Sequence, residues 1–237
     1  MHLFFDDSLT NNLIQHSIEG DEAWHCIKVL RLKVNDKITL TDGRGFLYNA
    51  LVSSINQKKK ILEVEIIEVK EKQKYPTANL HIAIAPTKNI DRFEYFVEKA
   101  TEIGVNEITP IITDNSERKT VNIERISKIL ISAIKQSGQF YLPTLNNVIH
   151  FNKFIEMNHC ENKFIAHCND TEKKSLNDYV KKGQDSLILI GPEGDFSKEE
   201  IAISIKKDFK ALSLGNTRLR TETAGVVACH SFNLINL

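Results

Sequence analysis

What this chain has little of narrows it first. Four cysteines, Cys26, Cys160, Cys168 and Cys229, are scattered through 237 residues with no CxxC spacing, which argues against a disulfide framework and a structural zinc site. His159-Cys160 and His167-Cys168 come nearest to a metal-ligand pattern. The first pair falls in an expected loop and the second at the end of an expected strand, so no metal is expected. Net charge is also lacking, since 31 Lys and Arg balance 31 Asp and Glu. No global positive field therefore points to nucleic acid, and any such site must be a local patch. No stretch approaches the roughly 18 consecutive apolar residues of a membrane span. The start, Met1-His2-Leu3-Phe4-Phe5-Asp6-Asp7, meets acids too early for a signal peptide. A cytoplasmic protein with no membrane partner is expected.

What is present divides into two patterns. Residues 28–69 alternate with period two: 37–40, then the turn Asp42-Gly43-Arg44-Gly45, then 47–55, then the turn Lys58-Lys59-Lys60, then 61–69. Alternation broken by glycine and lysine turns predicts an antiparallel meander or small barrel. Residues 69–76 carry charge and Pro76 without an apolar period, which suits a linker and puts the domain boundary near 73.

Beyond Pro76 strands alternate with helices. A strand over 80–85 precedes a helix that Asp91 is expected to cap, with Phe93, Phe96, Val97, Ala100 and Ile103 inward and Gly104 as its stop. Strands near 108–112, 163–167, 186–190 and 211–214 alternate with helices near 122–137, 151–157, 176–182, 198–207 and 221–235. Such alternation predicts a mostly parallel sheet covered on both faces. Ligands of such sheets sit beyond the carboxyl ends of the strands, so the loops after Ile190 and Leu214 are where chemistry is expected.

The first loop is Gly191-Pro192-Glu193-Gly194-Asp195-Phe196-Ser197, with two glycines that permit close approach or positive φ and with Ser197 as the next helix cap. It is neither a Walker loop nor a dinucleotide fingerprint. The second, Leu214-Gly215-Asn216-Thr217-Arg218-Leu219-Arg220-Thr221-Glu222-Thr223, sets two arginines before a helix start. Those cations face the positive end of the helix dipole, which calls for an anionic ligand or full solvation.

These two loops carry a resemblance. Leu189-Ile190-Gly191-Pro192-Glu193-Gly194, then Leu214-Gly215 and Leu219-Arg220-Thr221-Glu222-Thr223-Ala224, resemble the motifs of the ribosomal small-subunit RNA (uracil-N3) methyltransferases of the SPOUT superfamily. His25-Cys26-Ile27-Lys28-Val29-Leu30-Arg31, Lys99-Ala100-Thr101-Glu102-Ile103-Gly104-Val105, Ser116-Glu117-Arg118 and Gln136-Ser137-Gly138 resemble the family's upstream motifs in order, so the likeness covers nearly the whole chain. Asp195 stands where many relatives have glycine, Gln139-Phe140 replaces a basic pair, and His2-Leu3 replaces an early arginine.

The resemblance implies an N-terminal PUA-like β-barrel over 1–73 and a trefoil-knotted SPOUT α/β domain over 74–237. It also implies S-adenosyl-L-methionine as cofactor, 16S ribosomal RNA or the small subunit as partner, and a homodimer. Cofactor contacts are expected from His167, Cys168, Ile190, Gly191, Pro192, Glu193, Gly194, Leu214, Gly215, Arg218, Leu219, Thr221 and Thr223. Thr221 is also expected to cap the last helix. Arg220 is expected to stabilise developing negative charge, with Glu222 as base or as its orienter. RNA contacts are expected from His25, Arg31, Arg44, Arg118 and Lys119. Two other readings remain open: a SPOUT ribose 2′-O-methyltransferase and a non-enzymatic ribosome-assembly factor.

Overall fold

The computed structural model describes residues 3–74, 78–157 and 160–237. His2, His159 and the Pro76 end of the expected linker lie outside the described residues. The chain separates into two compact units: Met1–Lys74 with Ile134–Leu142, and Tyr75–Ala133 with Pro143–Leu237. The expected division at 73/74 did not anticipate that exchange, because Ile134–Leu142 sits within a helical and polar stretch whose periodicity carries no sign of which core it joins.

The first unit is a five-stranded sheet. β1 (Leu3–Phe5), β2 (Gln15–Glu19), β3 (Lys37–Thr41), β4 (Phe46–Asn56) and β5 (Ile61–Glu71) lie in the order β1-β3-β4-β5-β2. The expected meander is β3-β4-β5, antiparallel throughout, and β1 adds to it in parallel. Register shifts at Asn49/Ala50 and Val52/Ser54 mark irregularities of the kind that bend long strands. The inward set, including Ile38, Leu40, Tyr48, Val52, Leu62 and Val64, is fully buried. Between β2 and β3 a short helix α1 (Gly20–Trp24) runs into one turn of π-helix, closed by the Leu30 amide donating to the His25 carbonyl at 3.1 Å. Within this unit the returning segment is stitched to the Asp42–Gly45 turn. The Gly45 amide donates to the Phe140 carbonyl and the Leu142 amide to the Gly43 carbonyl, both at 2.8 Å.

The second unit is a parallel α/β sheet. β6 (Leu80–Ile84), β7 (Glu107–Ile112), β8 (Thr144–Leu145), β9 (Ile149–His150), β10 (Asn162–Ala166), β11 (Ser186–Ile190) and β12 (Lys210–Leu212) run in the order β12-β10-β11-β6-β7-β8, with β9 also on β7. Every pairing is parallel. All five residues of β11 are buried, as a strand covered on both faces requires.

Helix α2 (Ile90–Ile103) buries Phe93, Phe96, Val97 and Ala100, one stripe at helical spacing. Burying each phenylalanine contributes about 1.5–3 kcal/mol. Its cap is Asn89, whose side chain accepts from the Asp91 amide, so Asp91 is a first-turn acid instead of the expected cap. α3 (Ile123–Ser137), α4 (Phe151–Phe154), α5 (Leu176–Tyr179) and α6 (Lys198–Lys206) follow. Ser197 caps α6 in a capping box with Glu200, as its position predicts. α7 (Thr221–Asn236) packs on α2, and a Cβ at Gly225 would lie 2.5 Å from the Phe96 ring. Phe232 is fully buried, while Leu234 and Leu237 are exposed.

Candidate functional site

The chain enters the sheet at β6, builds outwards through β7, and returns on the other side of β6 as β10 and β11. Ligands of open α/β sheets collect at the carboxyl ends beside such a reversal. There the loops after β10, β11 and β12 enclose a cleft of about 480 Å³ lined by residues 166–168, Lys173, 190–193, Asp195, 212–221 and Ala224. That is the size of a cofactor site.

Of the residues expected to hold cofactor, His167, Cys168, Ile190, Gly191, Pro192, Glu193, Leu214, Gly215, Arg218, Leu219 and Thr221 line this cleft, and Arg220 lines it with them. Gly194, Thr223 and Glu222 do not. Neither glycine of the first loop has positive φ. A Cβ on Gly191 would meet the Phe196 ring at 3.1 Å, and one on Gly194 would meet Asn115 Cβ at 3.1 Å. Both therefore make room for the loop's own packing. Gly215 does sit at φ +132, open space around it.

Asp195 has φ +63, left-handed backbone that Asp tolerates better than most residues. Its carboxylate accepts from the Cys168 amide and from the Phe196 amide, each at 2.8 Å, which ties the β10 loop to the β11 loop. The Asn115 side chain donates to the carbonyls of Gly194 and Asp195. Thr221 is not the helix cap. Arg220 occupies that position, and the Thr221 hydroxyl donates to the Gly191 carbonyl at 3.0 Å. Arg218 reaches the Glu193 carbonyl at 3.4 Å.

Several residues of this cleft carry polar groups without a hydrogen-bond partner among the described residues. His167 is buried and its Nδ1 has no hydrogen-bond partner. Burial holds the imidazole below its usual pKa, and the nearby Lys173 ammonium adds to the effect, so the ring is neutral near pH 7. The backbone N–H groups of Leu214, Asn216, Thr217, Arg218 and Leu219 find no partner among the described residues. The exposed Arg220 guanidinium likewise forms no ion pair there. Glu222 is buried outside the cleft, with Oε1 3.9 Å from Arg92 Nε and Oε2 unpartnered.

Sequence reasoning missed Lys173, whose ammonium donates to the His167 carbonyl at 2.9 Å. It lies in a polar run without period, where nothing marks one lysine among several. It also left Asp195 out of the site, although that residue had stood out as a departure. The expected RNA contacts lie apart from the cleft lining. Arg44 is spent on Asp42 and on the Asp7 and Leu9 carbonyls, and Arg118 on the Thr87 and Lys88 carbonyls. His25, Arg31 and Lys119 are exposed.

The parallel α/β unit, with its cofactor-sized cleft at the strand ends, and the small β unit each match known sequences. The RNA methyltransferase domain family matches residues 73–233, and the RNA methyltransferase PUA domain family matches residues 18–65. The chain therefore belongs to the RNA methyltransferase family. Ribosomal RNA small subunit methyltransferase E of Rickettsia conorii is 32% identical, over 92% of this chain and 89% of the relative. A probable rRNA-methyltransferase from Porphyromonas gingivalis has the same fold at TM-score 0.92 and 36% identity, over 100% of this chain and 98% of that one. The ribosomal RNA small subunit methyltransferase E of Neisseria gonorrhoeae, bound to S-adenosyl methionine, superposes at TM-score 0.86 with 26% identity, over 100% and 98% of the two chains.

The residues present fit that cofactor. The cleft is large enough, carries unspent backbone donors in the loop after β12, and has the neutral ring of His167 in its wall.

Proposed function

We propose that this protein methylates N3 of a uridine in 16S ribosomal RNA, with S-adenosyl-L-methionine as methyl donor. The observation that carries the reading is the cleft itself: unspent backbone and imidazole groups line it, and an unpaired arginine stands at its rim. The likeness to small-subunit methyltransferases E supports the substrate.

The cofactor supplies an already activated methyl group, and this chain's residues do the rest. Backbone of residues 190–193 and 214–219 holds the cofactor. His167 walls the cofactor's place with a neutral ring. Uridine N3 has no lone pair free for attack until its imide proton leaves, so negative charge must be held on the uracil. Arg220, permanently charged and unpaired, holds a uracil carbonyl or the adjacent phosphate as that charge develops. Glu222 lies outside the cleft lining and beside Arg92, so its part is to brace the start of α7, complementing the dipole there. Fixing donor and acceptor supplies much of the remaining acceleration.

The same reading includes a cytoplasmic homodimer and a trefoil knot. Support for the dimer is the surface of α7, where Val226 and Val227 are half-buried and Leu234 and Leu237 exposed. Support for the knot is the tie of the β12 loop to the β11 loop through Thr221 and Arg218.

Nucleoside analysis of 16S RNA from cells with and without the protein tests the reaction. N3-methyluridine present only with the protein is expected. Ribose methylation alone would replace the reading by a 2′-O-methyltransferase, and failure to bind S-adenosylmethionine would replace it by an assembly factor.

A further inference from the structure

The single tryptophan of the chain, Trp24, ends α1 in the first unit and is 39% exposed. Two ammoniums lie over its ring, Lys28 Nζ at 5.2 Å from the centroid and Lys60 Nζ at 5.3 Å. Lys28 follows Trp24 by four residues, one turn on. Lys60 comes from the β4–β5 turn, whose Lys58 and Lys59 are also exposed. That turn is held against α1, because the Gly20 amide donates to the Lys60 carbonyl at 3.2 Å and Lys28 Nζ donates to Gln57 Oε1 at 3.4 Å.

Lys60 is in left-handed backbone at φ +53, where glycine would be unstrained. A lysine kept in such a position is a strained residue beside an exposed aromatic, which is the kind of outlier that marks binding sites.

We infer that Trp24, Lys28 and Lys60 form a stacking platform for one unpaired base of an RNA strand, with the two ammoniums taking the phosphates on either side. The ring supplies a flat π-face that any base can use, and the lysines supply charge where the backbone passes. On binding, a lysine swings from the ring to a phosphate, and the base takes its place. The exchange is favourable, since an exposed cation–π contact is weaker than a base–aromatic stack. A membrane surface fits less well. α1 carries Asp21 and Glu22 and, at five residues, offers no apolar face to a bilayer. The inference rests on the proposed RNA substrate and extends it to a contact outside the cofactor cleft.

Because Trp24 is the chain's only tryptophan, its emission reports on this site alone. The full-length protein is titrated with decaadenylate, with inorganic polyphosphate of matched charge, and with phosphatidylserine vesicles. Quenching by decaadenylate well beyond any change caused by polyphosphate is expected. Equal quenching by polyphosphate would reduce the site to unspecific charge, and a blue shift on vesicles alone would assign it to membranes; either overturns the platform.

With a labelled oligonucleotide followed by anisotropy, Trp24→Ala should weaken binding roughly 5- to 150-fold and Trp24→Phe much less. Lys60→Gly relieves the backbone, so it should leave the melting temperature unlowered while reducing the log–log salt slope by about 0.7. A wild-type enzyme that methylates small-subunit RNA no faster than Trp24→Ala, with equal oligonucleotide affinity, would sink the platform and spare the enzyme. Trp24-dependent quenching in a protein that transfers no methyl group would uphold the platform and sink the enzyme.

Discussion

Two loops wall the same cleft and are built in opposite ways. The loop after β11 is closed on itself: Asp195 binds two amides, Asn115 braces its carbonyls, Phe196 fills the space left by Gly191, and Ser197 starts a capping box. The loop after β12 spends few of its groups, and residues 215–218 and Arg220 are exposed. One wall is therefore set during folding. The other leaves most of its backbone amides without partners among the described residues. Substitutions in the first should cost stability before affinity, and those in the second affinity before stability.

The largest effect is expected at the rim of the open wall. Arg220→Ala should lower single-turnover methyl transfer by about 10²–10³ while calorimetry with S-adenosylhomocysteine finds unchanged affinity. Near-normal turnover would take Arg220 out of the site, and lost affinity would move it into the cofactor wall.

Next come the closed wall's own residues. Asp195→Ala removes the carboxylate that accepts from two backbone amides and leaves a Cβ residue in left-handed backbone, and should lower unfolding free energy by about 2–3 kcal/mol. Asp195→Gly should recover roughly 1 kcal/mol of that by relieving φ alone. Equal losses in the two variants, read from denaturant midpoints, would deny the strain argument. Gly191→Val should cost about 1–3 kcal/mol by overpacking against Phe196, with cofactor affinity falling as the loop shifts. A variant as stable as wild type would mean that the loop yields freely.

Gly215→Ala sharpens the contrast. Its Cβ meets nothing within 4 Å, so the cost is backbone strain of about 1 kcal/mol. In a loop free to relax, it should appear as a few-fold loss of cofactor affinity with the melting temperature almost unmoved. A drop in melting temperature as large as that of Gly191→Val would erase the distinction between the walls.

The smallest effect is a pH slope. The folded pKa of His167 lies below its unfolded value, so the unfolded chain takes up the proton first as pH falls. The histidine's contribution is present above about pH 6.5 and is lost as pH drops towards the folded pKa. His167→Gln should flatten stability against pH in that window, and an unchanged slope would show that the ring is not the group responsible.

Much of this was legible in the residues. The meander, the alternation of strand and helix, the Ser197 cap and the two cleft loops follow from period, glycines and caps. What escaped was whatever depends on distant neighbours. Gly191 and Gly194 are small because of Phe196 and Asn115, and Thr221 bonds back to Gly191 instead of capping. Glu222 in the first turn of a helix beside Arg220 looks functional by adjacency, yet the helix turns it away from the cleft towards Arg92. Local pattern states what an element is, whereas the facing residue comes from the fold.

The first unit borrows Ile134–Leu142 from far along the chain. A ribosome making this protein releases all five strands of that sheet long before it releases the segment that seals the Asp42–Gly45 turn through Phe140, Tyr141 and Leu142. Until then the turn stays unsealed, and the first unit cannot close until the whole Tyr75–Ala133 stretch of the second unit has emerged. A protease cut between residues 74 and 134 would therefore damage both units, and the fragment 1–74 is the wrong piece to express for studying RNA binding on its own.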